Sequence, residues 1–290
     1  MQRRTLFLGA AGAAVLCRST GAPAQQRTRP LIGYLHGGSR QSSRAGWAAL
    51  LEGMRQAGFV IGQNVDIEYR WADGQYERLP AIAAELVALR PAVLFAGTPV
   101  AALAAKQATT SIPIENGLVA SLNKPGGNLT GATFFSNVLT KKRFAMLRDI
   151  APNAQNFMAL VNPKNANAGR QVNDAQDAAR ALSVKCEVFE AATDEDIAQA
   201  FNTTTRWKME ALIVLSDSFL NSRARQIAAM ALQSLLPSCF AYREMVLAGG
   251  LISYGADRTA PDLIAGAYIG RILNGEKPED LPVHLPTRFQ

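Results

Sequence analysis

Ala92-Val93-Leu94-Phe95-Ala96-Gly97-Thr98-Pro99 is the stretch on which the fold turns. Five apolar residues in a row, with no polar alternation, make a strand buried on both faces. Gly97 ends the run, Thr98 is a good N-cap residue, and proline suits the first helical position, here Pro99. A helix is therefore expected to about residue 108. Strand, tight loop, helix is half of a parallel βαβ unit, and it implies a parallel sheet with helices on both faces.

The same alternation extends to both sides. Upstream, 31–35 reads as a strand, 36–41 as a loop and 43–57 as a helix closed by Gly58. Residues 65–71 alternate as a strand with one covered face, and 77–89 form an amphipathic helix stopped by Pro91. Downstream, a strand begins at 112–114, and 129–134 reads as a strand that leaves this first unit. The pattern then restarts. Strands are expected at 157–161, 185–190, 211–215, 238–241 and 251–254. Helices are expected at 140–150, 168–182, 195–207, 221–235 and 261–273. Two such units in series make an α/β protein of two Rossmann-like lobes with a cleft between them. Ligands of open parallel sheets bind beyond the carboxyl ends of the strands. That nominates the loops at 36–40, 97–99, 115–117, 162–167, 216–219, 242–244 and 254–258.

Residues 1–24 read as a cleaved secretory signal peptide. Arg3 and Arg4 form its basic start, an apolar run covers 6–16, and Ala22-Pro23-Ala24 places small residues before a cut at Gln25. The run is about half the ~20 residues of a bilayer span. Arg3-Arg4-Thr5-Leu6-Phe7 resembles an incomplete twin-arginine signal, and Leu16 before Cys17 is too large for a lipoprotein box. The expected location is the periplasm.

The formal charge is +7, of which the leader's Arg3, Arg4 and Arg18 supply three. The remaining basic residues are scattered, so nucleic acid is not an expected partner. Lys141-Lys142-Arg143 is the densest run and reads as a solvated helix face. Cys186 and Cys239 could pair in an exported chain, and are read as two buried free thiols. Two histidines far apart, His36 and His284, with no CxxC, HExxH or acidic calcium loop, indicate no metal site. There is no GxGxxG for a dinucleotide and no GxSxG elbow behind Ser39, Ser216 or Ser218, so neither a cofactor nor an enzyme is expected.

Several phrases carry a family resemblance. They are Ile67-Glu68-Tyr69-Arg70-Trp71-Ala72, Arg78-Leu79-Pro80-Ala81, Gly97-Thr98-Pro99, and Asn123-Lys124-Pro125-Gly126-Gly127-Asn128-Leu129-Thr130-Gly131. Val161-Asn162-Pro163, Asp217-Ser218-Phe219-Leu220-Asn221-Ser222-Arg223, Gly249-Gly250-Leu251-Ile252-Ser253-Tyr254-Gly255 and Gly275-Glu276-Lys277-Pro278 complete the set. In this order they resemble the ABC-transporter substrate-binding proteins related to tryptophan- and tyrosine-binding proteins. The resemblance implies the type I periplasmic binding-protein fold, with two lobes joined by three crossings. Lobe one would be 29–131 plus 250–276, and lobe two 132–249 plus 277–290. It also implies delivery of a small amino-acid-like ligand to an ABC permease and its ATPase, by a monomer. Against the family pattern, the connection after Ile114 is short, since Glu115-Asn116-Gly117 runs straight to Leu118, and the C-terminus is short as well. A ligand-sensing partner of a membrane receptor, and a truncated paralogue that binds nothing, are the alternatives.

An amino-acid-like ligand needs donors for its carboxylate and an acceptor for its ammonium. Gly37, Gly38, Ser39 and Thr98 stand where N–H donors at a helix start would be, or they form a tight βα turn and a cap. Asp217 follows an apolar strand and would hold the ammonium, or cap the next helix. Asn162 would bond the ligand, or turn the chain before Pro163. Tyr242 and Tyr254 would stack on an apolar group, or pack in the hinge. Asp257 would serve the ammonium from lobe one, or cap a helix. Trp47, Trp71 and Trp207 are read as structural.

Overall fold

The computed structural model describes residues 29–115, 128–131, 139–257 and 259–284. Residues 1–28, which include the expected signal peptide, and residues 116–127, 132–138, 258 and 285–290 lie outside the described residues.

The apolar run around Phe95 is strand β3 (Val93–Ala96), buried along its whole length. It stands beside β1 (Leu31–His36), with β2 (Asp66–Trp71) outside β1 and β4 (Ile114–Glu115) and β5 (Leu129–Thr130) beyond β3. The order β2-β1-β3-β4-β5 is wholly parallel. The second sheet contains β6 (Asn156–Val161), β7 (Lys185–Glu190), β8 (Ala211–Val214), β9 (Ser238–Phe240) and β10 (Ile252–Ser253), in the order β10-β9-β8-β6-β7. It is also parallel throughout. Renumbered from its own first strand, it repeats the topology of the first sheet. Each sheet therefore reverses direction beside its first strand, between β1 and β3 and between β6 and β8. Those are the points where a crevice opens beyond the strand ends.

Helices α1 (Arg44–Gln56), α2 (Leu79–Ala88) and α3 (Pro99–Ala108) connect the first sheet. The second sheet carries α4 (Thr140–Ile150), α5 (Ala168–Ala181), α6 (Asp194–Asn202), α7 (Ser218–Ser222), α8 (Ala224–Gln233) and α9 (Arg243–Leu247). The last helix, α10 (Thr259–Leu273), returns to the first sheet and packs on α1. That contact is a backbone approach. A β-carbon on Gly53 would overlap the Leu263 carbonyl oxygen, and one on Gly266 would overlap the Leu50 carbonyl oxygen. Glycine is the only residue that admits helices this close. One apolar cluster runs from Leu35, Leu94 and Ala101 of the first half to Met158, Phe219 and Leu220 of the second.

The two-lobed α/β architecture is as expected, and several boundaries differ. The strand expected to leave the first unit near residue 129 pairs with β4 and closes that sheet's edge. Residues 252–253, expected with lobe one, pair with β9 of the second sheet. Residues 281–284, expected with lobe two, sit against the first half. Leu281 is buried among Ile32, Tyr34 and Ile269, its carbonyl accepts from Thr130 Oγ1 at 2.7 Å, and His284 N donates to Gly131 O at 2.9 Å. The helix expected over 195–207 stops at Asn202, because Thr203 and Thr204 turn their hydroxyls back onto the Ala200 and Phe201 carbonyls. The one expected over 221–235 starts earlier and breaks at Arg223 into α7 and α8. Residues expected as loop at 242–244 open the short helix α9.

Trp47 and Trp71 are structural, packed about Tyr34 with ring centroids 5.0 and 5.5 Å away. Trp207 is half exposed instead, because α6 ends before it. Arg143, expected on a solvated helix face, is buried and donates Nε to the Tyr254 carbonyl at 2.8 Å. Burial pulls its guanidinium pKa down.

Candidate functional site

The crevice is built from the loops that follow β1, β3, β6 and β8. On the second half, Asn162 comes directly after β6 and is buried. Its Oδ1 accepts from Lys164 N at 3.0 Å, which turns the chain, and its Nδ2 donates to Asp217 Oδ1 at 3.1 Å. Asp217 caps α7, with Oδ1 accepting from Leu220 N at 3.0 Å. Asn165 Nδ2 donates to Asp217 Oδ2 at 2.9 Å.

The fourth donor comes from the other half. After β2 the chain is tied to the β1 loop, with Ala72 N on His36 O, Asp73 N on Gly38 O and Gly74 N on Gly37 O. This directs Tyr76 across the crevice. Its hydroxyl donates to Asp217 Oδ2 at 2.8 Å and accepts from Phe219 N at 3.1 Å. Burial, then the Asp217 charge beside it, drives the phenol pKa well above its ordinary value, so Tyr76 remains a donor. A carboxylate has about four acceptor positions. All four on Asp217 are taken by the protein's own groups, two on each oxygen.

Of the two roles expected for Asp217, this arrangement displays the helix cap. In the closed arrangement described here, the carboxylate expected for a ligand ammonium caps a helix and joins the two halves. Asn162 is likewise a turn residue, with Oδ1 on Lys164 N and one amide N–H on Asp217. The expected N–H donors are also engaged. Gly37 N donates to Thr98 Oγ1 at 3.2 Å, Gly38 N to His36 Nδ1 at 2.9 Å, and Ser39 N to Ser42 Oγ at 3.1 Å. Thr98 Oγ1 accepts in addition from Ala101 N at 3.3 Å, as the cap of α3. Gly37, Gly38 and Thr98 therefore make the tight βα turn and the cap.

Tyr242 pairs its hydroxyl with Ser216 Oγ. Tyr254 contributes its backbone, donating N–H to Phe240 O at 3.1 Å and accepting from the buried Arg143. Asp257 Oδ1 accepts from Thr259 N at 2.9 Å and Thr259 Oγ1 at 2.6 Å, which fastens the start of α10. The expected loop at 115–117 lies largely outside the described residues. Glu77 and Lys164 form an exposed ion pair across the crevice mouth at 3.2 Å, beside the Tyr76–Asp217 contact.

Two spaces remain. Beside His36, Ser42 and Asp262 there is about 10 Å³, room for one water at most. A cleft of about 660 Å³ lies between the start of α1 on one half and α7, α8 and α9 on the other. Ser39 is the only one of the nine expected ligand residues that lines it. Sequence reasoning missed Tyr76, Asn165, Arg44, Asn221, Arg225 and Glu244. Tyr76 and Asn165 lie close to quoted motifs, but only the tertiary contact shows what they do.

No group of three or more metal-ligating side chains occurs among the described residues, and no described helix is long and apolar enough to cross a membrane.

The chain is similar to proteins that share this architecture. Residues 32–290 match the family model described as ABC transporter substrate binding protein. A tyrosine-binding protein of Clostridioides difficile is 25% identical over 242 residues, which is 80% of this chain and 69% of that protein. A conserved domain protein from Vibrio cholerae superposes with a TM-score of 0.84 at 24% identity, covering 91% of each chain. A Streptococcus pneumoniae ABC domain solved in complex with L-Trp superposes with a TM-score of 0.81 at 24% identity, over 90% of this chain and 91% of that one. A protein with two matching parallel sheets and an inter-lobe crevice that matches this model over nearly its whole length is a non-enzymatic small-molecule binder: the chain belongs to the ABC transporter substrate-binding protein family.

Proposed function

We propose that this protein is exported to the periplasm, captures a small amino-acid-like solute between its halves as a monomer, and delivers it to an ABC permease and its ATPase. The observation that carries this reading is the Tyr76–Asp217 contact, which joins the two switch-point crevices. Closure in this protein depends on polar groups exchanged between the loops where a solute sits. Opening breaks the Tyr76 bond and exposes the Asp217 carboxylate, with Asn162 and Asn165 still holding it. A ligand ammonium then replaces the phenol proton as the fourth partner. The names of the similar proteins, one tyrosine-binding and one solved with L-Trp, support an amino acid as the class of solute. The leader at 1–24 supports export.

The test is thermal unfolding of residues 25–290 against a panel of amino acids and organic acids. A ligand that binds only the folded state stabilises it by about 2.7 kcal/mol at a hundredfold excess over Kd. A midpoint raised by amino acids supports the reading. A cooperative transition that no solute moves would sink it and favour a paralogue that binds nothing.

A further inference from the structure

The 660 Å³ cleft between α1 and α8 has a charge character the rest of the crevice lacks. Arg44, the first residue of α1, and Arg225, in the first turn of α8, both line it. They come from opposite halves of the molecule. Among the described residues neither side chain has an ion-pair or hydrogen-bond partner, whereas the Arg223 side chain beside them is held by Asp194. Glu244 is the one carboxylate on the wall. Both helices start without a side-chain cap, so their first-turn N–H groups and positive dipole ends add to the same field.

A second, independent observation points to a ligand here. Asn221 lines the cleft, is only 6% exposed, and its buried Oδ1 has no hydrogen-bond partner. A buried acceptor without a donor is costly and native proteins keep few of them, so this atom calls for an occupant with an N–H to give. Asn221 sits four residues after Asp217 in the same short helix, with its N–H on the Asp217 carbonyl. An occupant of the cleft that reaches Asn221 is thus one helical turn from the carboxylate expected to hold an ammonium.

We infer that this cleft takes an amino-acid-like solute, its carboxylate held between Arg44 of one half and Arg225 of the other and its ammonium donating to Asn221 Oδ1. This deepens the solute-binding reading and rests on it. Arginine forks match a carboxylate's two oxygens, and a site that needs one arginine from each half forms only when the halves close.

The experiment is calorimetric titration of residues 25–290 with L-tyrosine, L-tryptophan and succinate. Each is compared with a neutral-ended counterpart: the two methyl esters, which keep ring and ammonium, and succinamide. D-ribose is the uncharged control. The variants are Arg44→Gln, Arg225→Gln and Asn221→Ala. At least one carboxylate should bind, and its counterpart should bind at least tenfold more weakly. Each arginine variant should lose roughly tenfold or more, the range for a charge-assisted hydrogen bond. Asn221→Ala should weaken binding of the two amino acids but not of succinate, and should leave the unfolding midpoint unchanged, because Asn221 Oδ1 has no partner in the empty protein. Esters or succinamide that bind as tightly as the acids, arginine variants with unchanged affinity, or binding of ribose alone would overturn the carboxylate assignment and leave the solute-binding reading standing. A folded protein that binds none of these would overturn both.

Discussion

The Tyr76 hydroxyl of the first half lies 2.8 Å from Asp217 Oδ2 of the second, across 141 residues of sequence. It also accepts from Phe219 N, so one phenol satisfies two buried groups on the other half. Asp217 is 3% exposed and Tyr76 8% exposed, which takes this contact out of water. Hydrogen bonds of this kind, to a buried charge, sit at the upper end of the usual range.

Tyr76→Phe keeps the ring and removes the bond. The expected loss is about 1–3 kcal/mol in urea denaturation, since the Phe219 N–H is left without its acceptor. A double-mutant cycle with Asp217→Asn should give a coupling of about 0.5–3 kcal/mol. The ligand-free variant should also have a larger radius of gyration in small-angle scattering, as the halves part. Strictly additive losses and an unchanged radius would mean that the contact does not hold the halves together.

The α1–α10 crossing gives a sharp contrast between glycines. Gly53→Ala and Gly266→Ala each place a methyl group into a facing backbone carbonyl, at a cost of about 1–3 kcal/mol or more. Gly169→Ala, at an exposed position of α5 with open space around the added carbon, should instead gain about 0.5–1 kcal/mol. Equal effects at the three positions in a denaturant series would contradict the close approach.

Acid sensitivity has a local source at the start of α6. Asp196 accepts from Ala192 N and Thr193 N, both at 2.9 Å, while Thr193 Oγ1 accepts from Asp196 N at 3.1 Å. The Ala192 N–H, foremost, holds this carboxyl below its ordinary value of 3.8. A folded pKa below the unfolded one means stability that is fully present above pH ~4 and lost as pH falls through the lowered value. The site is mostly open to solvent, so the effect is small, about 0.5–1 kcal/mol. Asp196→Asn should be less stable than the parent at pH 7 and should converge with it near pH 2. A constant difference at both pH values would remove Asp196 from the account.

Cys186 and Cys239 are free, and burial pushes both thiols up to about 12. At pH 8 only about one molecule in ten thousand carries either thiolate. Ellman's reagent should therefore find neither in the folded chain and both after unfolding. Fast labelling of the native protein would show that one strand edge opens locally.

Element type was legible wherever local chemistry and burial agree. The apolar run 92–96 with Thr98 and Pro99 behind it became β3 and α3 with the expected cap. The helix ends at 202 and 223 were missed because hydroxyls at Thr203, Thr204 and Ser222 compete for backbone carbonyls, and a count of apolar spacing does not register that. Arg143 read as a surface charge because its neighbours in sequence are lysines, yet its neighbour in space is the Tyr254 carbonyl.

The amino-acid sequence alone determined the repeated strand–helix alternation, the two parallel sheets and the loops that could carry a site. Those follow from burial pattern and turn chemistry, which act over a few residues. Tertiary structure decided which loop residues are spent on the protein itself and which face open space. Asp217 is saturated and Asn162, Thr98 and the Gly37 and Gly38 amides are engaged within the protein, while Arg44, Asn221 and Arg225 line the cleft. A hydrogen bond between residues 141 positions apart leaves no local trace, because its partners meet only when both sheets have formed and their crevices face each other.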